Sequence, residues 1–296
     1  MVRAMLPLPD HIKGLLITLA GVLVITPDGL LVRLVQTDEW TILFWRGVLS
    51  ALAIGLGLVV LHGPGVAAHF RAIGGSGIWL ALIFGVGSIA FVIGLTHTKV
   101  ANALFITSSA PVWSALLSRV FLNETVAPRT WVAIGFALIG IAVIAASTVA
   151  HGSGSLVGDL AALAAALAMA GTFILARKAR AISMVPAMVP AGLITAILVL
   201  PLASPFDLGA GDILWLALMG LVVVALGSAL ITLGPRYLPA PEVGLLLLLE
   251  AVLSPILVWA VIGESPGGGA LTGGAIVLTT LIILNLANLR AKAATV

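Results

Sequence analysis

The sequence predicts an all-α membrane protein with ten transmembrane helices. Of its 296 residues, 61% are hydrophobic and only 8% are charged, whereas soluble domains carry about 25% charged residues. Ten stretches of the chain remain apolar over the roughly 20 residues that an α-helix needs to cross the hydrocarbon core. Lys and Arg residues concentrate at alternate joints between these stretches, which is the charge distribution typical of a multi-pass membrane protein.

Helices are expected because a helix satisfies its backbone polar groups within one segment, as a membrane span must. The stretches are also twice as long as the strands of a membrane barrel, and they show no two-residue alternation. Short joints rich in turn-forming residues separate them. We expect helices over residues 14–34, 41–61, 77–97, 101–121, 130–150, 156–176, 184–202, 213–234, 242–262 and 268–289.

Prolines predict interruptions in three of these helices, because proline lacks the backbone N–H that continues a helix. Pro27 favours a break in the first helix, and Pro111 interrupts the fourth. The seventh stretch is short and is punctuated by three prolines, Pro186, Pro190 and Pro201. This stretch is expected to be kinked or to begin as a re-entrant segment.

The positive charges predict the orientation of the chain. With the N-terminus in the cytoplasm, eleven of the fourteen Lys and Arg residues fall in cytoplasmic segments, and the outer joints hold only Arg33 and Lys99. The positive-inside rule counts Lys and Arg in short loops such as these. We therefore expect a multi-pass protein of the cell (inner) membrane with both termini in the cytoplasm. The net charge of +3 follows from this bias and does not indicate nucleic-acid binding.

Short matches between the two halves of the chain indicate an internal repeat. The third stretch opens with IWLAL at residues 78–82, and the eighth opens with LWLAL at 214–218. The fourth ends in NET at 123–125, and the ninth ends in GES at 263–265. Two five-helix repeats are therefore predicted, over residues 1–150 and 151–296. Because five is an odd number, the repeats must lie inverted in the membrane, which is typical of secondary transporters with a substrate site between the repeats.

Two segments of the chain contain more extended motifs. Residues 44–47 in the second stretch read FWRG. Residues 236–244 read RYLPAPEVG and lead into five leucines and Glu250, and the pair Gly263-Glu264 follows at the end of the ninth stretch.

The run from residue 101 to 131 contains a third motif. It has Pro111 within its helix, Glu124 at the end of that helix and Trp131 at the opening of the next. In these three segments, and along nearly its whole length, the chain resembles the EamA-type transporters of the drug/metabolite transporter superfamily. The resemblance implies ten helices in two inverted repeats and export of small metabolites, often amino acids, through a central cavity.

The chain departs from the family pattern at two positions near the expected cavity. Ala20 precedes Gly21 where the family often has Trp, and Ala251 follows Glu250 where the family often has Pro or Thr. Because both positions lie near the expected cavity, these departures affect the expected type of substrate more than the expected fold.

Asp28 and Arg46 are ionisable groups inside predicted helices, where a charge costs about 2.5–3.5 kcal/mol even on the lenient insertion scale. Each lies about six residues from the outer end of its helix, so the two side chains can meet. They form either a structural ion pair between two helices or a site at which one of them binds a charged end of the substrate.

Glu250 is the third such group and follows five leucines near the middle of the ninth helix. Burial disfavours the charged form of a carboxyl group, so Glu250 could bind and release a proton as the substrate moves. In the alternative interpretation, a protonated Glu250 simply forms a hydrogen bond with a neighbour. Ser254, one helical turn further on, is close enough to be that partner.

A polar stripe runs along the fourth helix. Asn102, Ser109 and Trp113 share one face, and Trp113 could pack against a substrate, gate the passage or serve only in packing. The predicted substrate and coupling pathway therefore comprises Asp28, Arg46, Asn102, Ser109, Trp113 and Glu250.

The function predicted from these features is a secondary transporter that exports amino acids or related small metabolites by alternating access, with facilitated and proton-coupled export both open. An intramembrane enzyme and a non-transporting sensor or scaffold are the alternatives. We expect no enzyme activity, cofactor or metal site, because the sequence has no cysteine and no HExxH or GxSxG motif. The expected partners are a small-molecule substrate and the lipid bilayer, with a proton as a further candidate. A small-residue stripe of Gly47, Ala51 and Gly55 permits close helix contact within a monomer or across a homodimer.

Overall fold

A computed structural model describes residues 9–97, 106–149, 155–263 and 267–293. All regular secondary structure in these ranges is helical, as predicted. Six helical segments are long and apolar enough to cross a membrane: Asp10–Leu34, Glu39–Ala72, Gly74–Gly94, Leu156–Lys178, Gly211–Arg236 and Ala240–Ile262. Three shorter apolar helical segments accompany them: Ala110–Leu122, Val185–Val199 and Thr272–Leu284. Each of the ten predicted stretches contains at least one described helix.

The α-helices are numbered here in chain order. They are α1 (Asp10–Ile25), α2 (Asp28–Leu34), α3 (Glu39–His62), α4 (Val66–Ala72), α5 (Gly74–His97), α6 (Ala110–Leu117), α7 (Pro128–Val149), α8 (Leu156–Lys178), α9 (Met188–Val199), α10 (Ala210–Ala217), α11 (Ala225–Leu233), α12 (Ala240–Ile262) and α13 (Gly267–Ala293). A π-helical turn, Ser118–Leu122, extends α6, and a second one, Leu218–Val224, joins α10 to α11.

The predicted interruption of the first helix is present. The helix α1 ends at Ile25, and α2 begins at Asp28 after the turn formed by Thr26 and Pro27. The backbone N–H and the hydroxyl of Thr26 both donate to the carbonyl of Val22, at 3.0 and 2.8 Å. These bonds close the end of α1, and Pro27 cannot continue the helical ladder because it has no N–H.

The fourth predicted helix is also interrupted, and the seventh begins irregularly. Ser108 and Ser109 form a turn before α6, which starts at Ala110 with Pro111 in its first turn. The seventh stretch begins as a short 3₁₀ segment, Val185–Ala187, which leads directly into α9. The helix then continues through Pro190, and Pro201 follows its end.

Helices of the first half pack mainly against helices of the second half. These pairs include α1 with α11, α5 with α8, α3 with α9, α7 with α13, and α6 with α12. Exchange of the first five predicted helices with the second five maps the α1–α11 pair onto the α8–α5 pair. The same exchange maps each of the other three pairs onto itself.

Two glycines allow α3 and α9 to cross at very short range. A Cβ added to Gly47 would lie 2.5 Å from the carbonyl oxygen of Gly192, and a Cβ added to Gly192 would lie 2.5 Å from the carbonyl oxygen of Gly47. Any larger side chain would separate the two backbones. Gly47 belongs to the predicted small-residue stripe, and its close contact lies within one chain.

Polar contacts tie the helices together at the end of the bundle predicted to face outward. The carboxylate of Asp38 accepts hydrogen bonds from the backbone N–H groups of Trp40 and Thr41, which caps α3. Burial raises the pKa of Asp38, but hydrogen bonds from the Thr41 hydroxyl and from these N–H groups outweigh burial and hold the pKa below its ordinary value of 3.8. The Thr41 hydroxyl oxygen also accepts from the N–H of Ser204 at 2.9 Å, which links α3 to the segment that follows α9.

Two polar contacts connect helices at the opposite end of the bundle. His11 at the start of α1 lies 2.9 Å from the carboxylate of Glu242 at the start of α12. Arg177 near the end of α8 donates to Glu124 at 3.0 Å and to the carbonyl of Pro235 at 3.2 Å. These contacts hold the ends of helices from both halves together.

Candidate functional site

The predicted contact between Asp28 and Arg46 is present in the apolar interior. Asp28 opens α2 immediately after the helix break, and Arg46 projects from α3. The Nη1 atom of Arg46 lies 2.8 Å from the Oδ2 atom of Asp28, and the two side chains are 13% and 6% exposed. The pair is therefore a buried, charge-assisted hydrogen bond between two helices.

Only one oxygen of the Asp28 carboxylate is satisfied by this pair. The Oδ1 atom is buried and has no hydrogen-bond partner among the described residues. A buried carboxylate oxygen without a donor carries the full desolvation cost of that group. Buried polar groups are nearly always hydrogen-bonded, so an unpaired acceptor of this kind calls for a partner such as a water molecule, an ion or a ligand.

Glu250 joins the other two charges. The helix α12 packs against α2, and Glu250 interacts electrostatically with both Asp28 and Arg46. The three predicted intramembrane charges therefore lie in one region, which we call the charged trio. The similar depths of Asp28 and Arg46 in the membrane predicted their contact. Nothing in the sequence indicated that α12 would be adjacent to α2.

The contact between α2 and α12 is close because of a glycine. A Cβ added to Gly29 would lie 2.8 Å from the hydroxyl oxygen of Ser254, so a larger residue would displace this side chain. Ser254 follows Glu250 by one helical turn. The Ser254 hydroxyl and the Glu250 carboxyl thus belong to the stretch of α12 that packs against the helix break.

Ser109 and Trp113 form a second, smaller group on the fourth predicted helix. The hydroxyl of Ser109 donates to the carbonyl of Ile106 at 2.6 Å and accepts from the indole N–H of Trp113 at 3.0 Å. These bonds fix the orientation of the indole ring. Asn102, the third predicted member of this face, lies outside the described residues.

The fourth predicted helix also contacts α12, but at a different level from the charged trio. A Cβ added to Gly244 would lie 3.3 Å from the Cα atom of Pro111, so the two backbones are close where α6 begins. Within the described ranges, no hydrogen bond or ion pair joins Ser109 or Trp113 to the charged trio. The structure thus divides the five predicted pathway residues that it describes into two groups on neighbouring helices.

The site contains two carboxyl groups and one guanidinium group in an apolar bundle, and these groups can bind charge or exchange a proton. Among the residues that the structure describes, no cluster of three His, Asp or Glu side chains could hold a metal ion. The polar contacts His11–Glu242 and Arg177–Glu124 were not predicted. Their partners are 231 and 53 residues apart in the chain, and no motif connects them.

Comparison with known proteins agrees with this architecture. The model of the EamA-like transporter family matches residues 12–146 and 156–286. A solved crystal structure of another protein aligns with 93% of this chain and 99% of its own length, with a TM-score of 0.76 and 18% sequence identity. Similarity at this level of identity concerns the fold alone. No curated protein sequence matches the chain.

Proposed function

Because the chain belongs to the EamA-like transporter family, we propose that it is a secondary transporter that exports amino acids or related small metabolites across the cell's inner membrane. The family and the apolar helices indicate a multi-pass membrane protein with a small-molecule substrate. The substrate class, the direction of transport and its energy coupling are our proposals.

We propose ten transmembrane helices in two inverted repeats, over residues 1–150 and 151–296. The exchange symmetry of the helix pairs supports this arrangement. The ends of the fourth and ninth predicted helices support it as well. Asn123 and Gly263 both adopt positive φ, at 52° and 80°, and a Glu directly follows each of them. Equivalent helix ends of this kind are expected from two copies of one fold.

The observation that carries the proposal is the charged trio. Its members come from α2 and α3 in the first half and from α12 in the second half. Charges in a membrane interior are expensive and usually mark a substrate or ion pathway. Transporters with inverted repeats bind substrate between the repeats, often beside a broken helix, and Asp28 directly follows such a break.

Alternating access then follows from movement of one repeat against the other around this site. We propose that both chain ends face the cytoplasm, on the basis of the positive-inside bias. We also propose that Glu250 carries the coupled proton, because its apolar helix packs against α2 and its carboxyl group lies within electrostatic range of Asp28 and Arg46.

Flux in proteoliposomes tests this proposal. Purified protein is reconstituted and loaded with a mixture of amino acids, and the uptake of each radiolabelled amino acid by counterflow is measured with and without a pH gradient. We expect exchange of at least one amino acid, and acceleration of net flux by the gradient in the wild-type protein.

The variant Glu250→Gln separates proton coupling from facilitated transport. We expect it to abolish the response to the gradient, while Glu39→Gln at the start of α3 serves as a matched control and retains that response. Unchanged flux and pH dependence in Glu250→Gln would rule out the proton role. Lack of flux for every amino acid and related metabolite would contradict transport itself.

A further inference from the structure

The charge balance of the trio is uneven. Arg46 supplies one positive charge, and it is already engaged with Oδ2 of Asp28 at 2.8 Å. Asp28 and Glu250 supply two carboxyl groups, so the site has an excess of acceptors and, when both are ionised, a net negative charge. An apolar bundle favours a neutral site, and one more cationic donor would produce it.

One atom of the site lacks a hydrogen-bond donor in the described ranges. The Oδ1 atom of Asp28 is buried, the residue is 4% exposed, and no donor among the described residues reaches this atom. Of the hydroxyl groups at the break, that of Thr26 donates to Val22, and that of Ser254, which lies against Gly29, forms no hydrogen bond with this oxygen. The described part of the chain thus holds an acceptor at the helix break without providing a donor for it.

We propose that the site binds the ammonium group of its substrate, with Oδ1 of Asp28 as the principal acceptor and Glu250 as the second carboxyl group. The recognised class is therefore primary amines and amino acids, and the ammonium group is the obligatory part of the substrate. This inference rests on the proposed transport function and specifies which end of the substrate the site recognises.

The same geometry disfavours a substrate carboxylate at this position, so the carboxylate of a bound amino acid must lie away from the charged trio. A carboxylate bound at this position would compete with Asp28 for Arg46. It would also lie near the carboxyl groups of Asp28 and Glu250, and repulsion between ionised acids raises the free energy of the complex. An ammonium group has the opposite effect, because it neutralises the excess charge and gives Oδ1 a charge-assisted hydrogen bond. When Glu250 is protonated, binding of the ammonium group favours release of that proton, so the site exchanges one positive charge for another.

Binding of matched analogues tests this inference. Thermal-shift titrations of the purified full-length protein compare leucine with 3-methylbutylamine, which lacks the carboxylate, and with 4-methylpentanoate, which lacks the amino group. Phenylalanine, phenethylamine and 3-phenylpropanoate form a second matched set. We expect saturable stabilisation by the amino acid and the amine of at least one set, and at least 10-fold weaker binding of the corresponding acid.

Variants locate the binding group. Asp28→Asn removes the charge that is proposed to bind the ammonium group and should weaken amine binding roughly 10- to 100-fold, the range expected for a lost charge-assisted hydrogen bond. Asp10→Asn changes an exposed Asp at the start of α1 and should leave binding unchanged. The ranking of analogues on the wild-type protein remains informative even if Asp28→Asn does not fold.

Two results would overturn the inference. The first is tighter binding of the acid than of the amine, which would assign recognition to Arg46. The second is transport of a substrate without an amino group together with no binding of either amine; this would leave the transport function intact and refute only the ammonium site. Loss of all flux, by contrast, refutes the transport function on which the inference rests.

Discussion

The crossing of α3 and α9 provides a stringent test of the fold through the variant Gly47→Ala. The added methyl group would lie 2.5 Å from the carbonyl oxygen of Gly192. Ordinary van der Waals contact begins at 3.4 Å, so the two helices must separate by about 0.9 Å at this point. Both groups in conflict are attached directly to backbone, and neither can rotate away.

The expected cost follows from overpacking. Extra methylene or methyl groups in a well-packed interior cost about 1–3 kcal/mol. Alanine recovers up to about 1 kcal/mol of this through its higher helix propensity. Because the clash is with backbone, the upper part of this range, about 2–3 kcal/mol, applies. Subtraction of about 1 kcal/mol for helix propensity leaves a net loss of about 1–2 kcal/mol for Gly47→Ala.

Gly55→Ala on the same helix is the matched control. A Cβ at this position would meet only the Cγ2 atom of Val189 at 4.0 Å, so alanine adds helix propensity without a clash. Thermal unfolding in detergent measures both variants. We expect the apparent Tm to fall by roughly 2–8 °C for Gly47→Ala, from the usual scaling for chains of this size, and to stay constant or rise for Gly55→Ala. Equal stability of the two variants would refute the close crossing.

Three further predictions concern charged residues. Arg177→Ala should lower the free energy of unfolding by about 1–3 kcal/mol, because it removes hydrogen bonds to a carboxylate and to a carbonyl; thermal unfolding should show no such loss for Arg119→Ala, which changes an exposed residue. The double variant Asp28→Arg/Arg46→Asp should restore the folded yield relative to either single variant, but it should not restore flux in proteoliposomes. Restored flux would show that the pair is purely structural. Asp38→Ala should destabilise the protein by about 1 kcal/mol through loss of the α3 cap. Because the pKa of Asp38 is held below 3.8, the stabilisation by this cap should be complete above that pH and decline only as the pH falls below it, which unfolding curves measured at a series of pH values would detect.

Much of the site could be anticipated from local features of the sequence. Pro27 predicted the helix break because the effect of proline on its own helix is local. The similar depths of Asp28 and Arg46 in adjacent helices predicted their contact, which is present at 2.8 Å. The position of Glu250 beside them was not predicted, because depth along a helix does not say which face meets which neighbour.

The sequence by itself determined the helical class, the membrane setting and the positions of the main helix breaks. These depend on the hydropathy and backbone chemistry of each segment, and a segment contributes them wherever it lies in the fold. Tertiary structure alone decided that α2, α3 and α12 converge around three charges, that one oxygen of Asp28 remains without a donor, and that Gly47 meets Gly192. Such contacts depend on the packing of side chains between segments distant in the chain, because only the complete set of helix surfaces selects which helices become neighbours.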